Sequence, residues 1–132
     1  INIYEDVLMT RDFVYIDDVV EATIEVMKNE NANNNFFNVG SGFPVTVLEV
    51  ANSLKSLYNS KINIQISERF RAGDIRHNFA NISKIRDATG FAPKFDFNTG
   101  LSKFVEWVKK QKIHNDKYEE SVEELNKKGL IK

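Results

Sequence analysis

The apolar positions of the chain change period several times, and each change marks an element. Across residues 12–16 the side chains read polar, Phe, Val, Tyr, Ile, a β-favouring run that predicts a buried strand. Asp17 or Asp18 then stands where a carboxylate can cap a helix, along which Val19, Val20, Ala22, Thr23, Ile24, Val26 and Met27 recur until the Asn-rich stretch 29–35. Phe36, Phe37, Asn38 and Val39 read as a second short strand, broken by Gly40-Ser41-Gly42 and Pro44. Thr46 and Glu49 have capping-box spacing, and Val47, Leu48, Val50, Ala51, Leu54 and Leu57 repeat at helical period behind them. Ile62, Ile64 and Ile66 alternate with Asn63 and Gln65, which predicts a strand with one wet face.

Further on, Asn81 or Ser83 is placed to cap a short helix through Ile85 and Ala88, stopped by Gly90 and kept from resuming by Pro93. After Thr99-Gly100, residues Leu101, Phe104, Val105 and Val108 form an apolar stripe with Trp107 at its edge. The tail has a thinner stripe of Tyr118, Val122 and Leu125, so its helix needs a surface to dock on. Its pairs Glu123–Lys127 and Glu124–Lys128 are each worth only roughly 0.2–0.5 kcal/mol. The pattern as a whole predicts an α/β fold of few short strands and about five helices, divided into a main unit at 1–113 and a helical tail at 114–132. So small a sheet needs a covered face, and an adjoining domain is the expected cover.

Composition narrows the partners. The 132 residues suit one domain, and 18 basic against 19 acidic side chains leave no general field for nucleic acid or anionic lipid. No cysteine is present, which removes disulfides and thiolate chemistry, and no apolar run is long enough to span a bilayer. These features, with no basic leader or small-residue cleavage site at the start, lead us to expect a cytoplasmic setting without membrane contact. The chain opens on Ile1-Asn2-Ile3-Tyr4 without methionine, as an excised piece or a processed protein would.

Candidate chemistry is concentrated in a few groups. Arg11 precedes the first predicted strand and Arg71 sits in a Gly-containing turn just beyond the Ile62–Ile66 strand; two guanidinium forks meeting from separate loops would clamp a diphosphate. Taken alone, either arginine more commonly serves a surface salt bridge. Asp74 follows Gly73 and can accept sugar hydroxyls, or simply bond its own turn. Asp17 and Asp18, adjacent at a strand end, suit helix capping better than paired acid–base work. His77 is expected to hydrogen-bond in a loop or the core and His114 to be exposed, and no third donor joins them in a metal cluster. There is no Gly-x-Ser-x-Gly elbow, and Gly40-Ser41-Gly42 has too few glycines for a dinucleotide fingerprint, so a turn is its expected role. No Tyr-x-x-x-Lys pair occurs: Tyr15 is followed four residues on by Val19, and Tyr58 by Ile62.

Taken together, Arg11-Asp12-Phe13-Val14-Tyr15-Ile16-Asp17-Asp18-Val19, Phe37-Asn38-Val39-Gly40-Ser41-Gly42, Thr46 with Glu49 and Val50, Arg71-Ala72-Gly73-Asp74-Ile75-Arg76-His77, Ile82-Ser83-Lys84, Gly90-Phe91-Ala92-Pro93 and the Gly100-Leu101 helix with Trp107 resemble the C-terminal part of the extended short-chain dehydrogenase/reductase family, its nucleotide-sugar epimerases and dehydratases. The resemblance covers about residues 5–110 and rests on the order and spacing of the motifs. It implies a parent with an N-terminal NAD-binding Rossmann domain, absent here, and a smaller domain closing over the nucleotide-sugar, most simply the UDP-sugar of a 4-epimerase. A 4,6-dehydratase is the alternative, and a non-catalytic nucleotide-binding or oligomerisation module lies outside both.

On that resemblance the matches of Arg11 and Arg71 bind the diphosphate, the match of Asp74 approaches the nucleotide ribose, and Asp18 is chiefly structural. The 36–39 strand would join the edge of the parent Rossmann sheet. NAD would be held by the absent domain, and the 132 residues alone would carry no catalytic residue and no oxidoreductase activity. Two departures stand out. An Asp-Gly turn usual before the first motif is replaced by Glu5-Asp6-Val7, which predicts an altered hairpin. The tail beyond 114 lies outside the shared pattern and either docks back on the domain or reaches a second copy in a homodimer.

Overall fold

The computed structural model describes residues 1–67, 69–112 and 115–131. Among them are four three-residue strands and five α-helices: β1 (Asn2–Tyr4), β2 (Thr10–Asp12), α1 (Ile16–Lys28), β3 (Pro44–Thr46), α2 (Val47–Leu57), β4 (Gln65–Ser67), α3 (Ser83–Thr89), α4 (Phe97–Val108) and α5 (Tyr118–Lys127). The α/β class expected from the sequence therefore holds, with the strands shorter than the apolar runs implied. β1 pairs with β4 in parallel, Ile3 opposite Ile66, and β2 pairs with β3 antiparallel, Arg11 opposite Val45.

The strand expected at 12–16 sits earlier, at β2, because only residues 10–12 find a partner and the chain turns into helix at Ile16. That shift overturns the capping role given to Asp17 and Asp18. Tyr15 is the N-cap residue and no side chain caps the helix, so the two aspartates fall inside the first turn. Asp18 is fully buried and accepts hydrogen bonds from the backbone amides of Lys94 (2.9 Å) and Phe95 (3.2 Å). A carboxylate that leaves its own helix to hold a distant loop is a staple between segments. Residues 36–39 form no strand: Phe37 and Val39 instead pack on the cluster of Ala22, Ile85 and Phe91, while Phe36 stays 85% exposed. Of the Ile62–Ile66 alternation only Gln65 and Ile66 are strand, within β4, since β1 offers no longer partner.

At α2, Thr46 Oγ1 accepts the Glu49 amide at 3.1 Å and the Glu49 carboxylate accepts the Thr46 amide at 2.8 Å, closing a capping box. α3 begins where Asn81 Oδ1 accepts the Ser83 amide at 3.0 Å and ends at Gly90. α4 starts before Gly100, at Phe97, because Asp96 accepts the Thr99 amide at 2.7 Å. Gly100 is thereby a helix-interior residue, pressed against Tyr15. Tyr15 in turn meets Phe95, and Phe13 meets Phe97, in tilted aromatic pairs that join the β2–α1 link to the start of α4.

The tail helix α5 lies beside β1, with Asn2 Nδ2 donating to the Tyr118 hydroxyl at 3.1 Å. Beyond it the Ala72 amide donates to the Leu130 carbonyl at 2.8 Å and Arg71 bridges Ile131. The described part of the tail thus contacts β1 and the Arg71 turn of its own chain.

Candidate functional site

β2 sets the geometry of the site, because its other edge is followed by residues 76–78. The Thr10 amide donates to the Arg76 carbonyl at 3.0 Å and the Asn78 amide to the Thr10 carbonyl at 3.2 Å. His77, an exposed loop residue, meets Thr10 Oγ1 through Nδ1 at 3.0 Å; His114 lies outside the described residues. Arg11 is thus held between β3 and the 76–78 segment. Its Nη1 donates to the carbonyls of Thr10 (2.8 Å) and Arg76 (3.3 Å), and its Nη2 to Asp74 Oδ1 (2.8 Å). The pair side chains are 27% and 33% exposed, so the contact is worth about 0–1 kcal/mol. Backbone carbonyls, rather than the carboxylate alone, therefore orient the guanidinium fork.

Asp74 reaches Arg11 from a tight turn whose amide at 74 donates to the Arg71 carbonyl at 3.1 Å. Gly73 in this turn has φ +86°, a conformation a side chain resists. Arg71 begins the same turn and lays its guanidinium carbon 5.1 Å from the centre of the Tyr4 ring, a cation–π contact. The structure thus brings Arg11 and Asp74 into contact and joins Arg71 to them through four residues of backbone. Tyr4 as a platform for Arg71 was not foreseen; its place on a strand beside β4 is a tertiary fact with no local sequence signal.

Asp12 was also missed, and it organises one wall. Its carboxylate accepts from the Ser41 amide (2.7 Å), Ser41 Oγ (2.6 Å), the Gly42 amide (3.0 Å) and the Ala80 amide (3.0 Å). Burial pushes the Asp12 carboxyl up, but the Ser41 hydroxyl and the Ala80, Ser41 and Gly42 amides outweigh it and hold it below its ordinary value. Gly40 is required for this approach: a Cβ there would stand 2.5 Å from Asp12 Oδ2 and 2.6 Å from Ala80 Cβ. The Gly40-Ser41-Gly42 turn is therefore an anion nest whose anion is Asp12. Its amides are already taken by a carboxylate, so it does not fit the pyrophosphate of a dinucleotide, and no other glycine cluster of this chain does. Arg11, Asp12, Asn38 and Asn78 help line an open cavity of about 470 Å³ above this wall.

Arg76 completes the surroundings. Its guanidinium donates to Glu5 Oε2 at 3.0 Å and to Asp6 Oδ2, and it lowers the Asp6 pKa chiefly through that hydrogen bond. The 5–7 turn has left-handed backbone at Glu5 (φ 58°) and at Val7 (φ 65°), the latter unusual for a β-branched residue. Chemically, the assembled groups can bind an anion and accept hydroxyls; within the described residues no three His, Asp or Glu converge as metal ligands. Among the described residues no helix is long and apolar enough to cross a membrane.

The solved structures on which this fold superposes are nucleotide-sugar epimerases and dehydratases, which makes the chain a part of the extended short-chain dehydrogenase/reductase class. Within that class it belongs to the family described as GDP-mannose 4,6 dehydratase, whose model matches residues 2–104. The chain is 32% identical over 108 residues to dTDP-L-rhamnose 4-epimerase of Burkholderia thailandensis, an alignment covering 82% of this chain and 30% of that protein. UDP-glucose 4-epimerase from Thermotoga maritima, solved with UDP-glucose, superposes with a TM-score of 0.76 at 31% identity, covering 83% of this chain and 35% of the other. dTDP-glucose 4,6-dehydratase from Bacillus anthracis, solved in complex with NAD, gives 0.71 at 25% identity over 84% and 34%. The chain thus spans about a third of the length of the proteins it resembles.

Proposed function

We propose that residues 1–132 are the nucleotide-sugar-binding portion of an NAD-dependent nucleotide-sugar 4-epimerase, with a UDP-sugar as ligand. Arg11 and Arg71 take the diphosphate, and Asp74 takes hydroxyls of the nucleotide ribose. The observation that carries the reading is the meeting of Arg11 and Asp74 at 2.8 Å, from segments 63 residues apart, beside the turn that begins at Arg71. The Arg11 fork, held by backbone carbonyls, is suited to phosphate oxygens, and binding far from the reacting carbon orients a sugar for chemistry done elsewhere. The epimerase among the relatives, and the solved epimerase bearing UDP-glucose, support the choice of substrate class. The family description and the solved dehydratase favour a 4,6-dehydratase as second reading, for which the same site would serve.

In the whole protein NAD would be held by residues outside this chain, in an N-terminal Rossmann domain. Support comes from α1, whose outer face leaves Ile16, Val20, Ile24 and Met27 exposed at 61%, 50%, 41% and 80%. An apolar stripe repeating at helical spacing asks for cover. The division into a main unit at 1–113 and a tail at 114–132, a soluble cytoplasmic location and the inactivity of the 132 residues alone belong to the same proposal. Calorimetric titration of UDP into the chain tests it: Arg11→Ala and Arg71→Ala should each weaken binding by about ten-fold, as loss of a charged hydrogen bond does. Equal UDP affinity in wild type and both variants would refute it.

A further inference from the structure

Arg11 is poised for an anion in a way that its neighbour opposes. Two backbone carbonyls, those of Thr10 and Arg76, accept from its Nη1, so the carboxylate is one of three acceptors that aim the fork. What Asp74 contributes is charge, placed on Nη2 at 2.8 Å by a turn whose own amide bonds to the Arg71 carbonyl. The next arginine, Arg76, is already neutralised by Glu5 and Asp6, and so adds little attraction. An anion that arrives at Arg11 meets the Asp74 carboxylate on Nη2 and either displaces it, leaving it without its partner, or binds beside its negative charge.

Resting on the function proposed above, we infer that Asp74 is a specificity-determining residue, an internal competitor for Arg11 that rejects bare phosphate and pyrophosphate. A nucleoside diphosphate escapes the penalty because it carries a ribose diol. As the phosphates take Nη2, the displaced carboxylate accepts the diol hydroxyls, so the charge that was paired becomes hydrogen-bonded instead. Inorganic pyrophosphate brings no hydroxyl donor and leaves the carboxylate opposed to its own negative charge. The site therefore reads the two halves of its ligand jointly.

The test is titration of inorganic pyrophosphate and of UDP, at low ionic strength, into wild type, Asp74→Asn, Asp74→Ser and Arg11→Ala/Asp74→Asn, each checked for fold by circular dichroism. Removing the carboxylate should tighten pyrophosphate binding by about five-fold, the scale of an exposed charge pair, and weaken UDP binding, while the double variant loses the pyrophosphate gain. A merely structural role would move both ligands in one direction. Unchanged, weaker or undetectable pyrophosphate binding in both single variants would overturn the inference. Its failure is separable from failure of the parent proposal: loss of UDP affinity in Arg11→Ala and Arg71→Ala upholds the latter whatever pyrophosphate does, and the pyrophosphate comparison still decides the role of Asp74 if UDP does not bind.

Discussion

Replacing Asp12 by asparagine tests how the wall beside Arg11 is built. The carboxylate receives four hydrogen bonds of 2.6–3.0 Å, three of them from backbone amides in two separate segments, 41–42 and 80. Asparagine keeps one acceptor oxygen and turns an NH2 group toward the remaining donors. Two donors then lose their acceptor at about 1–3 kcal/mol each, and partial access to water trims the sum to about 2–4 kcal/mol. For a chain of this length that is a fall in Tm of about 10 °C, read by thermal circular dichroism. The pH dependence has a definite sign. Asp12 is held below its ordinary pKa in the fold, so its stabilisation is complete above the unfolded value of about 3.9 and is lost as pH falls through the lower folded value. Wild type and Asp12→Asn should therefore converge in stability on acidification below about pH 4. A variant within about 0.5 kcal/mol of wild type at neutral pH, or a gap that stays constant into acid, would refute the reasoning.

Gly40→Ala forces a methyl to 2.5 Å from Asp12 Oδ2 and 2.6 Å from Ala80 Cβ, and should cost about 1–3 kcal/mol in urea unfolding; a neutral result would mean that the turn and the 80 segment move apart freely. Asp18→Ala strips the fully buried acceptor from the Lys94 and Phe95 amides and should destabilise by about 2–4 kcal/mol, whereas a helix-capping aspartate near the surface would cost about 1. Deuterium exchange at those two amides should accelerate in that variant, and unchanged protection would argue against the staple.

What could be read from residues alone was whatever is decided within one or two turns of chain. The Thr46–Glu49 capping box, the stop at Gly90 and the amphipathic stripe of α1 are local, and each is present in the structure. Strands were over-read, because an apolar β-branched run states only that a segment is willing to pair. Residues 62–64 have that willingness and no partner strand among the described residues, whereas the partner expected for 36–39 is the sheet of a further domain, and within this chain 36–39 packs as an irregular segment. The same limit hid Asp12 and misassigned Asp18: an aspartate beside a helix start looks like a cap until the fold shows a distant loop whose amides need it more. Arg11, Arg71 and Asp74 were singled out by motif. That Arg11 touches Asp74 whereas Arg71 rests on Tyr4 depends on pairings 63 and 67 residues apart.

The central claim is that Arg11 and Arg71 serve one ligand. Following the side-chain Nε–Hε resonances of both arginines during UDP titration measures this directly. The account predicts that both move, with a single shared Kd, as Arg71 leaves the Tyr4 ring and Arg11 leaves Asp74. Movement of one arginine alone, or of the two with different Kd values, would contradict it.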